Sequence, residues 1–257
     1  MKNIKIIVAT HKAYKMPSDE VYLPLHVGAE NKFDKDGNSL DLGYVKDNTG
    51  DNISDKNASY CELTGLYWLW KNSDADYLGL VHYRRHFKGK GVGKNFKRII
   101  TGKQLSKIFD KYDVILPKKR HYYIETNRSQ YLHAHHKEGL DETENVIREF
   151  YPEYINSFEK VMNKRGGHRF NMFIMKKNLF NDYCDWLFGI LFKVENRIDI
   201  SDWNKSEQRV FGYLSERLLD VWIEKNNIKY KELPFMFMEK QNWFKKGWNF
   251  LKRKLSH

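Results

Sequence analysis

The stretch "DYLGLVHYRRHF", residues 76–87, carries an apolar run directly into a group of polar and charged side chains. Leu78, Leu80 and Val81 are typical of a buried strand. The residues that follow are His82, Tyr83, Arg84 and Arg85. Because burying a charge without a partner is costly, we expect this strand to end in a cleft that receives a negatively charged group.

Segments typical of strands and helices alternate on both sides of this stretch. Further strands are predicted at 4–10, 112–117 and 170–177, and helices at 59–72, 178–197 and 206–227. The alternation predicts an α/β fold, a single Rossmann-like domain whose mainly parallel central sheet is flanked by helices. Ligands of such sheets bind beyond the C-terminal ends of the strands, where Thr10, His11 and His82 are expected.

Composition limits the kinds of partner. The 257 residues suffice for one large α/β domain, and an apolar fraction of 41% excludes a disordered chain. The net charge of +12 predicts an anionic partner: a nucleic acid, a phosphate-bearing substrate or an acidic membrane surface. Cys61 and Cys184 are too few for a disulfide framework or a zinc knuckle. With no recognisable signal peptide or membrane span, we expect a cytoplasmic protein.

The arginine pair after the strand is the first candidate for ligand binding. A guanidinium group is always charged and presents a planar fork that matches phosphate oxygens. Neighbours in an extended segment point in opposite directions, so one of Arg84 and Arg85 is expected to reach a ligand while the other pairs with an acidic side chain. The alternative is two ordinary surface arginines.

A polar loop, residues 49–62, immediately precedes the first predicted helix. Helix N-termini present free N–H groups and positive dipole to anions. The loop's candidates for contacting a base, a ribose or a diphosphate are Asn52, Ser54, Asn57 and Glu62. The alternative is turn and cap chemistry, with Ser59 and Glu62 at capping-box spacing.

Carboxylates and histidines in the second half are candidates for a general base. These are His133, His136, Asp202, Glu207 and Glu216. The H-x-H-H spacing around His135 does not match a specific zinc motif, so no metal site is predicted there. Asn171 and Arg217 are assigned to an acceptor side, although an ion pair within the late helix would also explain Arg217 beside the apolar stripe.

The chain end has a pattern of its own, so we predict a domain at 1–235 and a basic amphipathic tail at 236–257. On a helical projection the aromatic residues from Trp243 to Phe250 fall on one side and most of the lysines on the other. A basic, tryptophan-containing amphipathic helix favours an anionic membrane surface, bound through 240–257. The alternative is a helix packed on the domain.

Four motifs together resemble a known bacterial family. They are "TGDNISDKNASYCELTGLYWLWKN" (49–72), "YLGLVHYRRHF" (77–87), "FNMFIMKKNLFNDYCDWLF" (170–188) and "QRVFGYLSERLLDVWI" (208–223). They are similar to a domain-of-unknown-function family of capsular and exopolysaccharide gene clusters, regarded as glycosyltransferases, some assigned as galactofuranosyltransferases. The resemblance covers roughly residues 4–225 and excludes the basic tail.

The resemblance implies a GT-A-like domain that transfers a sugar from a nucleotide-diphosphate donor, UDP-linked by family habit. In such enzymes a metal held by an Asp-x-Asp motif at a strand end commonly stabilises the leaving diphosphate. Here Asp74-Ala75-Asp76 precedes the strand, and the strand ends in His82-Tyr83-Arg84-Arg85. We therefore expect arginine to replace the metal, with no cofactor and an inverting reaction; manganese or magnesium is the alternative.

The implied acceptor is an oligosaccharide or a polyprenyl-diphosphate-linked sugar, met at the inner face of the plasma membrane by a peripherally bound protein. Two other classes stay open. One is a non-catalytic sugar-binding or scaffold subunit of a polysaccharide assembly complex. The other is a nucleic-acid-binding protein, against which the chain has no recognisable nucleic-acid module.

Overall fold

A computed structural model describes residues 2–93 and 95–239. The strands of this part of the chain are β1 Ile4–Thr10, β2 Tyr22–His26, β3 Val45–Lys46, β4 Tyr77–His82, β5 Arg85–Phe87, β6 Val114–Pro117, β7 Arg120–His121, β8 Gly166–Gly167, β9 Phe173–Lys176, β10 Tyr230–Leu233 and β11 Phe235–Phe237. The helices are α1 Asn57–Tyr60, α2 Leu63–Asn72, α3 Gly102–Ile108, α4 Asn127–Leu132, α5 Lys137–Phe150, α6 Ile155–Met162, α7 Lys177–Glu195 and α8 Val210–Lys225.

The central sheet is mainly parallel, as predicted. Its order is β3-β2-β1-β4-β9-β6-β10; off this path, β5 folds back antiparallel to β4 and also pairs with β11. Strand β9 runs antiparallel to both of its neighbours, β4 and β6, while β1, β2 and β3 run parallel to β4. The α/β fold and the mainly parallel sheet are therefore confirmed.

Both faces of the sheet are covered, which explains why its strands are continuous apolar runs. Along β1 the side chains alternate between two hydrophobic clusters: Ile7 joins the larger cluster, whereas Ile6 and Val8 join the smaller one. The larger cluster contains the apolar faces of α2, α7 and α8, and the smaller one includes Leu105 of α3. The core thus holds the central strands rigidly between two layers.

Two local predictions are wrong in detail. The helix expected over 59–72 breaks at Cys61, whose φ of 53° is left-handed, so Ser59 lies inside α1 and forms no capping box with Glu62. The strand expected over 170–177 begins only at Phe173 and runs antiparallel. Both deviations lie at the C-terminal edge of the sheet, where tertiary contacts decide the backbone conformation.

The predicted amphipathic helix of the tail lies outside the described residues. Strand β11 spans the predicted boundary at residue 235. Within the described part of the chain, no helix has both the length and the hydropathy needed to cross a membrane.

Candidate functional site

The C-terminal edge of the sheet brings several distant polar segments together. In the parallel register Thr10 lies opposite His26, and Ala9 lies opposite His82. Antiparallel β9 begins opposite Leu80, so the residues just before β9 lie at this same edge. The segments after β1, β2 and β4 therefore meet the segment 166–171.

The turn after β1 is built around Thr10 and Tyr83. The Thr10 hydroxyl donates to the carbonyl of Lys12 at 2.7 Å, which shapes the turn. The buried Tyr83 ring contacts the His11 ring edge to face, with centroids 5.4 Å apart, and the Lys12 ammonium lies 5.4 Å from the Tyr83 centroid. Tyr83 thus supports the turn that presents His11 and Lys12.

Positive charge converges on His11. Burial lowers the pKa of His11, and the charges of Lys12, Arg84, Lys32 and Arg209 lower it further. Because all four of these neighbours are cations, the electrostatic potential around the His11 imidazole is positive. Lys12, Lys32 and Arg209 were not predicted as site residues from the sequence. Of the three, Arg209 could have been found, because it lies in the "QRVFGY" motif directly before α8.

The two arginines after β4 have different surroundings, but the segment is not extended as predicted: Tyr83 and Arg84 form the turn of a hairpin in which His82 pairs with Arg85. Arg84 is exposed and pairs with Glu239 at 3.2 Å, with its guanidinium 4.9 Å from the Tyr83 ring. Arg85 is half-buried, with its guanidinium 4.3 Å from the Phe170 ring. Its Nε is buried and has no hydrogen-bond partner among the described residues. Burial lowers the pKa of Arg85, and the nearby Glu62 and Glu216 oppose that effect.

His82 lies between these arginines and two carboxylates. Its Nε2 donates to the carbonyl of Phe170 at 2.5 Å. Burial lowers the pKa of His82, while Glu62 and Glu216 act in the opposite direction. Glu62 and Glu216 are therefore close enough to act on both His82 and Arg85, so cationic and anionic groups alternate at the end of β4.

The segment 166–171 is anchored on one face of α8. Asp220 accepts hydrogen bonds from both the backbone N–H (2.9 Å) and Nδ1 (2.5 Å) of His168. One turn earlier, Glu216 Oε1 accepts from the backbone N–H of Phe170 at 3.1 Å. Asn171, at the end of the segment, donates to Glu62 Oε1 at 2.8 Å.

Left-handed backbone occurs at two consecutive residues of this segment, Phe170 (φ 76°) and Asn171 (φ 52°). Such a conformation is strained for a residue with a bulky side chain and persists only where surrounding contacts fix it. Here Glu216, Glu62 and Ser215, whose hydroxyl donates to Asn171 at 3.0 Å, provide those contacts. The strain aims the Phe170 carbonyl at His82 and the Phe170 ring at Arg85.

The residues predicted in the loop 49–62 differ in what they contact. Asn52 makes turn hydrogen bonds to Gly50 and Ser54, and Asn57 donates to the carbonyl of Cys61 at 2.7 Å. Ser54 donates to buried Asp47, which also accepts from Gly28, Ala29 and Thr64. Their polar groups shape the loop, whereas Glu62 reaches the cluster at the end of β4.

The five candidates for a general base do not lie together. His133 pairs with Glu125 at 2.7 Å, and His136 pairs with Glu207 at 3.1 Å. His136 lowers the pKa of Glu207, and Asp202 is exposed nearby in sequence. Glu216 is the candidate among these five whose described contacts reach the segment 166–171 and the end of β4.

Arg217 is buried, and its guanidinium forms hydrogen bonds within the protein. Its guanidinium donates to the carbonyl of Tyr213 at 2.7 Å and to Gln130 at 2.5 Å. Burial lowers the pKa of Arg217. The alternative, an ion pair within the helix, is present only as a long contact of 3.7 Å with Glu216. Arg217 therefore joins α8 to α4, while its neighbour Glu216 faces the cluster.

The Asp-x-Asp sequence lies at the opposite edge of the sheet. Asp76 immediately precedes β4 and accepts a hydrogen bond from the backbone N–H of Asn3, at the start of β1. Asp74 pairs with Lys177. In the ranges 2–93 and 95–239, no group of three or more His, Cys, Asp or Glu side chains is arranged to hold a metal ion.

Comparison with known proteins places this site in context. Residues 5–227 match the family described as "Domain of unknown function (DUF4422)". The solved apo structure of the WbbM bifunctional glycosyltransferase is similar over 93% of this chain, with 31% sequence identity and a TM-score of 0.82. That match covers 46% of the WbbM chain, so this protein spans about half its length. A search of curated proteins found no match.

The family match includes all four motifs from which the resemblance was inferred, and it takes in the sheet edge with His11, His82, Arg85, Asn171 and Glu216. The family resemblance is thereby confirmed: the chain belongs to the DUF4422 family.

Proposed function

We propose that the protein is a glycosyltransferase that moves a sugar from a UDP-linked donor to an acceptor in capsular or exopolysaccharide synthesis. The similarity to a bifunctional glycosyltransferase supports the reaction class. Galactofuranose is the donor sugar that we would test first, because some members of the family that the chain resembles are assigned as galactofuranosyltransferases.

The observation that carries the proposal is the convergence of cations at the C-terminal edge of the sheet. Lys12, Arg84 and Arg209 act together on His11, and Arg85, which is close enough to Arg84 to be influenced by its charge, has a buried Nε with no hydrogen-bond partner among the described residues. A nucleoside diphosphate gains negative charge as it leaves the sugar, so preorganised guanidinium groups stabilise the transition state more than the ground state.

Metal independence is part of the proposal. Glu62 and Glu216, the carboxylates near the end of β4, each accept a hydrogen bond from the segment 166–171, and the two guanidinium groups that follow β4 would neutralise the diphosphate in place of a divalent cation. Arg85 would bind the diphosphate from beneath, supported by Phe170. Arg84 would reach it from the surface after exchanging its present partner, Glu239.

Glu216 is the general base in this proposal. The reaction requires a group that removes the proton from the acceptor hydroxyl, and a carboxylate beside the donor site can do so. Glu216 has one oxygen engaged by the backbone of Phe170 and a side chain that is 21% exposed. Such a base is required by an inverting single displacement, which we favour.

The acceptor in this proposal is an oligosaccharide or a polyprenyl-diphosphate-linked sugar at the cytoplasmic face of the membrane. Asn171, predicted on the acceptor side, is buried and hydrogen-bonded to Glu62, Gly212 and Ser215, so it would position Glu62 there instead of touching the acceptor. The basic tail at 240–257, outside the described residues, would contribute membrane binding through its lysines and tryptophans.

Thermal unfolding against a panel of nucleotides, with and without EDTA, tests the proposal. UDP at roughly 100 times its dissociation constant should add about 2.7 kcal/mol to the free energy of unfolding, equally in EDTA. The protein should also hydrolyse the correct UDP-sugar slowly, and so release UDP, when no acceptor is present. Binding that requires manganese would contradict metal independence, and the absence of any nucleotide effect or donor hydrolysis would favour the scaffold alternative.

A further inference from the structure

The loop that follows β6 exposes large apolar side chains at the same sheet edge as the candidate site. After Pro117 the chain passes through β7 and enters an extended stretch before α4. Two neighbouring residues in this stretch project into solvent: Tyr123 is 91% exposed and Ile124 is 62% exposed. Two large apolar side chains that are exposed side by side forgo the free energy that burial in the core would give. The pair therefore indicates an interaction surface.

The exposed apolar pair is flanked by basic residues. Lys118, Lys119, Arg120 and His121 precede it and are all exposed. Lys164 and Arg165, also exposed, lie just before β8, which pairs with β7. Among the described residues, three carboxylates lie near these cations: Glu232 is 4.0 Å from Lys119, Glu224 pairs with Lys164 at 2.6 Å, and the charge of Asp220 also acts on Lys119. Glu125, next to the pair, is buried against His133.

The loop is held firmly from below. The backbone N–H of Tyr122 donates to the carbonyl of Arg165 at 3.0 Å, and Arg169 Nε donates to the Tyr122 hydroxyl at 3.1 Å. The Arg120 guanidinium lies 5.7 Å from the Phe170 ring. Tyr123 and Ile124 therefore project from a base that is joined directly to the segment 166–171 of the candidate site.

We infer that the stretch 118–124 is a membrane-contact surface, which inserts Tyr123 and Ile124 into an anionic lipid surface while its basic residues bind the headgroups. A tyrosine and an aliphatic side chain beside clustered cations match the interface of an anionic bilayer. The apolar side chains can enter the acyl-chain region while the cations bind the anionic headgroups. An acidic protein surface would match the cations but not the two projecting apolar side chains.

The stretch 118–124 is a different part of the sequence from the basic tail at 240–257. It lies at the edge of the sheet that carries the candidate site, so its contact with the membrane turns that edge toward the bilayer. The functional consequence, delivery of a lipid-linked acceptor to the segment 166–171, rests on the proposed function; the lipid binding itself does not.

Sedimentation of the full chain with phosphatidylcholine vesicles, with and without phosphatidylglycerol, tests the inference. We expect binding to the anionic vesicles, and we expect the double variant Tyr123→Ser/Ile124→Ser to bind them about tenfold more weakly. Phe150→Ser is the control, because Phe150 is 44% exposed at the C-terminal end of α5, outside the stretch 118–124 and the candidate site; it should bind like the wild type.

Hydrogen exchange of the full chain on the same vesicles locates the contact independently of any variant. Exchange should slow at 118–126 when phosphatidylglycerol vesicles are added. The inference is overturned if the chain does not bind these vesicles. It is also overturned if the chain binds them but its exchange at 118–126 is unchanged and the double variant binds as tightly as the wild type. The stabilisation of the double variant by UDP should equal that of the wild type, so failure of nucleotide binding in both would count against the proposed function alone.

Discussion

At the scale of single residues, Arg84 and Arg85 show how sequence neighbours divide two tasks. Arg84 lies in the turn between β4 and β5 and pairs with Glu239, whereas Arg85 is the first residue of β5 and lies against the Phe170 ring. A hairpin turn, and not strand alternation, therefore separates the two side chains. The sequence predicted the separation, but from an extended segment. It could not predict which arginine turns inward, because that depends on Phe170, 85 positions away in the chain.

Residue roles were least predictable where small polar side chains occur in series. Asn52, Ser54 and Asn57 have the composition of a ligand-binding loop, but their hydrogen bonds organise the loop itself. The same side-chain types cap helices, stabilise turns and bind ligands, so composition alone does not separate these roles. Glu62 differs because Asn171, from a distant segment, holds it at the cluster.

Buried histidines make stability depend on pH. Burial lowers the pKa of His26, His82 and His86 below 6.5, that of His86 to about 4. These groups bind protons more readily in the unfolded chain, so the free energy of unfolding should fall as the pH drops below about 6.5. His86 alone should account for a loss of about 3 kcal/mol near pH 4.

Denaturant titrations from pH 7 down to about pH 4 would measure this loss. In His86→Phe the pH dependence should be flatter, because a phenyl ring can pack between Tyr22 and Phe96 without titrating. The exposed His121→Gln should keep the wild-type dependence. Equal slopes in the wild type and His86→Phe would show that His86 does not contribute.

At the scale of elements, the connection between α8 and the segment 166–171 holds the candidate site together. Gly212, Glu216 and Asp220 are spaced one turn apart on one face of α8, and each accepts a hydrogen bond from the segment. The sequence predicted α8 and offered Glu216 as a candidate base. It could not predict that Glu216 faces a strained segment instead of solvent.

Asp220→Asn should weaken this connection. Asp220 is largely buried, and it accepts from His168 and Arg169. Removing its charge leaves the buried Arg169 guanidinium without its counterion, so we expect a loss of about 3 kcal/mol in the free energy of unfolding, measured by denaturant titration. Asp185→Asn, at an exposed position of α7, is the control and should stay near the wild type. Equal stability of the two variants would contradict this account of the connection.

At the scale of the whole molecule, the sequence was sufficient to predict the α/β class and the edge that carries the site. Apolar runs buried on both faces and alternating helices carry that information locally. The reversed direction of β9 was not predictable, because "FNMFIMKK" has the same composition whether its strand runs parallel or antiparallel. Lys32 and Arg209 were also missed as partners of His11, because only the folded sheet brings them near it.

The central claim is that guanidinium groups at the end of β4 bind the diphosphate without a metal. Isothermal titration of UDP in EDTA tests it with the wild type, Arg85→Ala, Arg85→Lys and the control Arg148→Ala, an exposed arginine on α5. We predict metal-free binding that weakens about tenfold or more in Arg85→Ala, partly recovers in Arg85→Lys and is unchanged in Arg148→Ala. Unchanged UDP affinity in a folded Arg85→Ala, or binding that appears only with manganese, would contradict the claim.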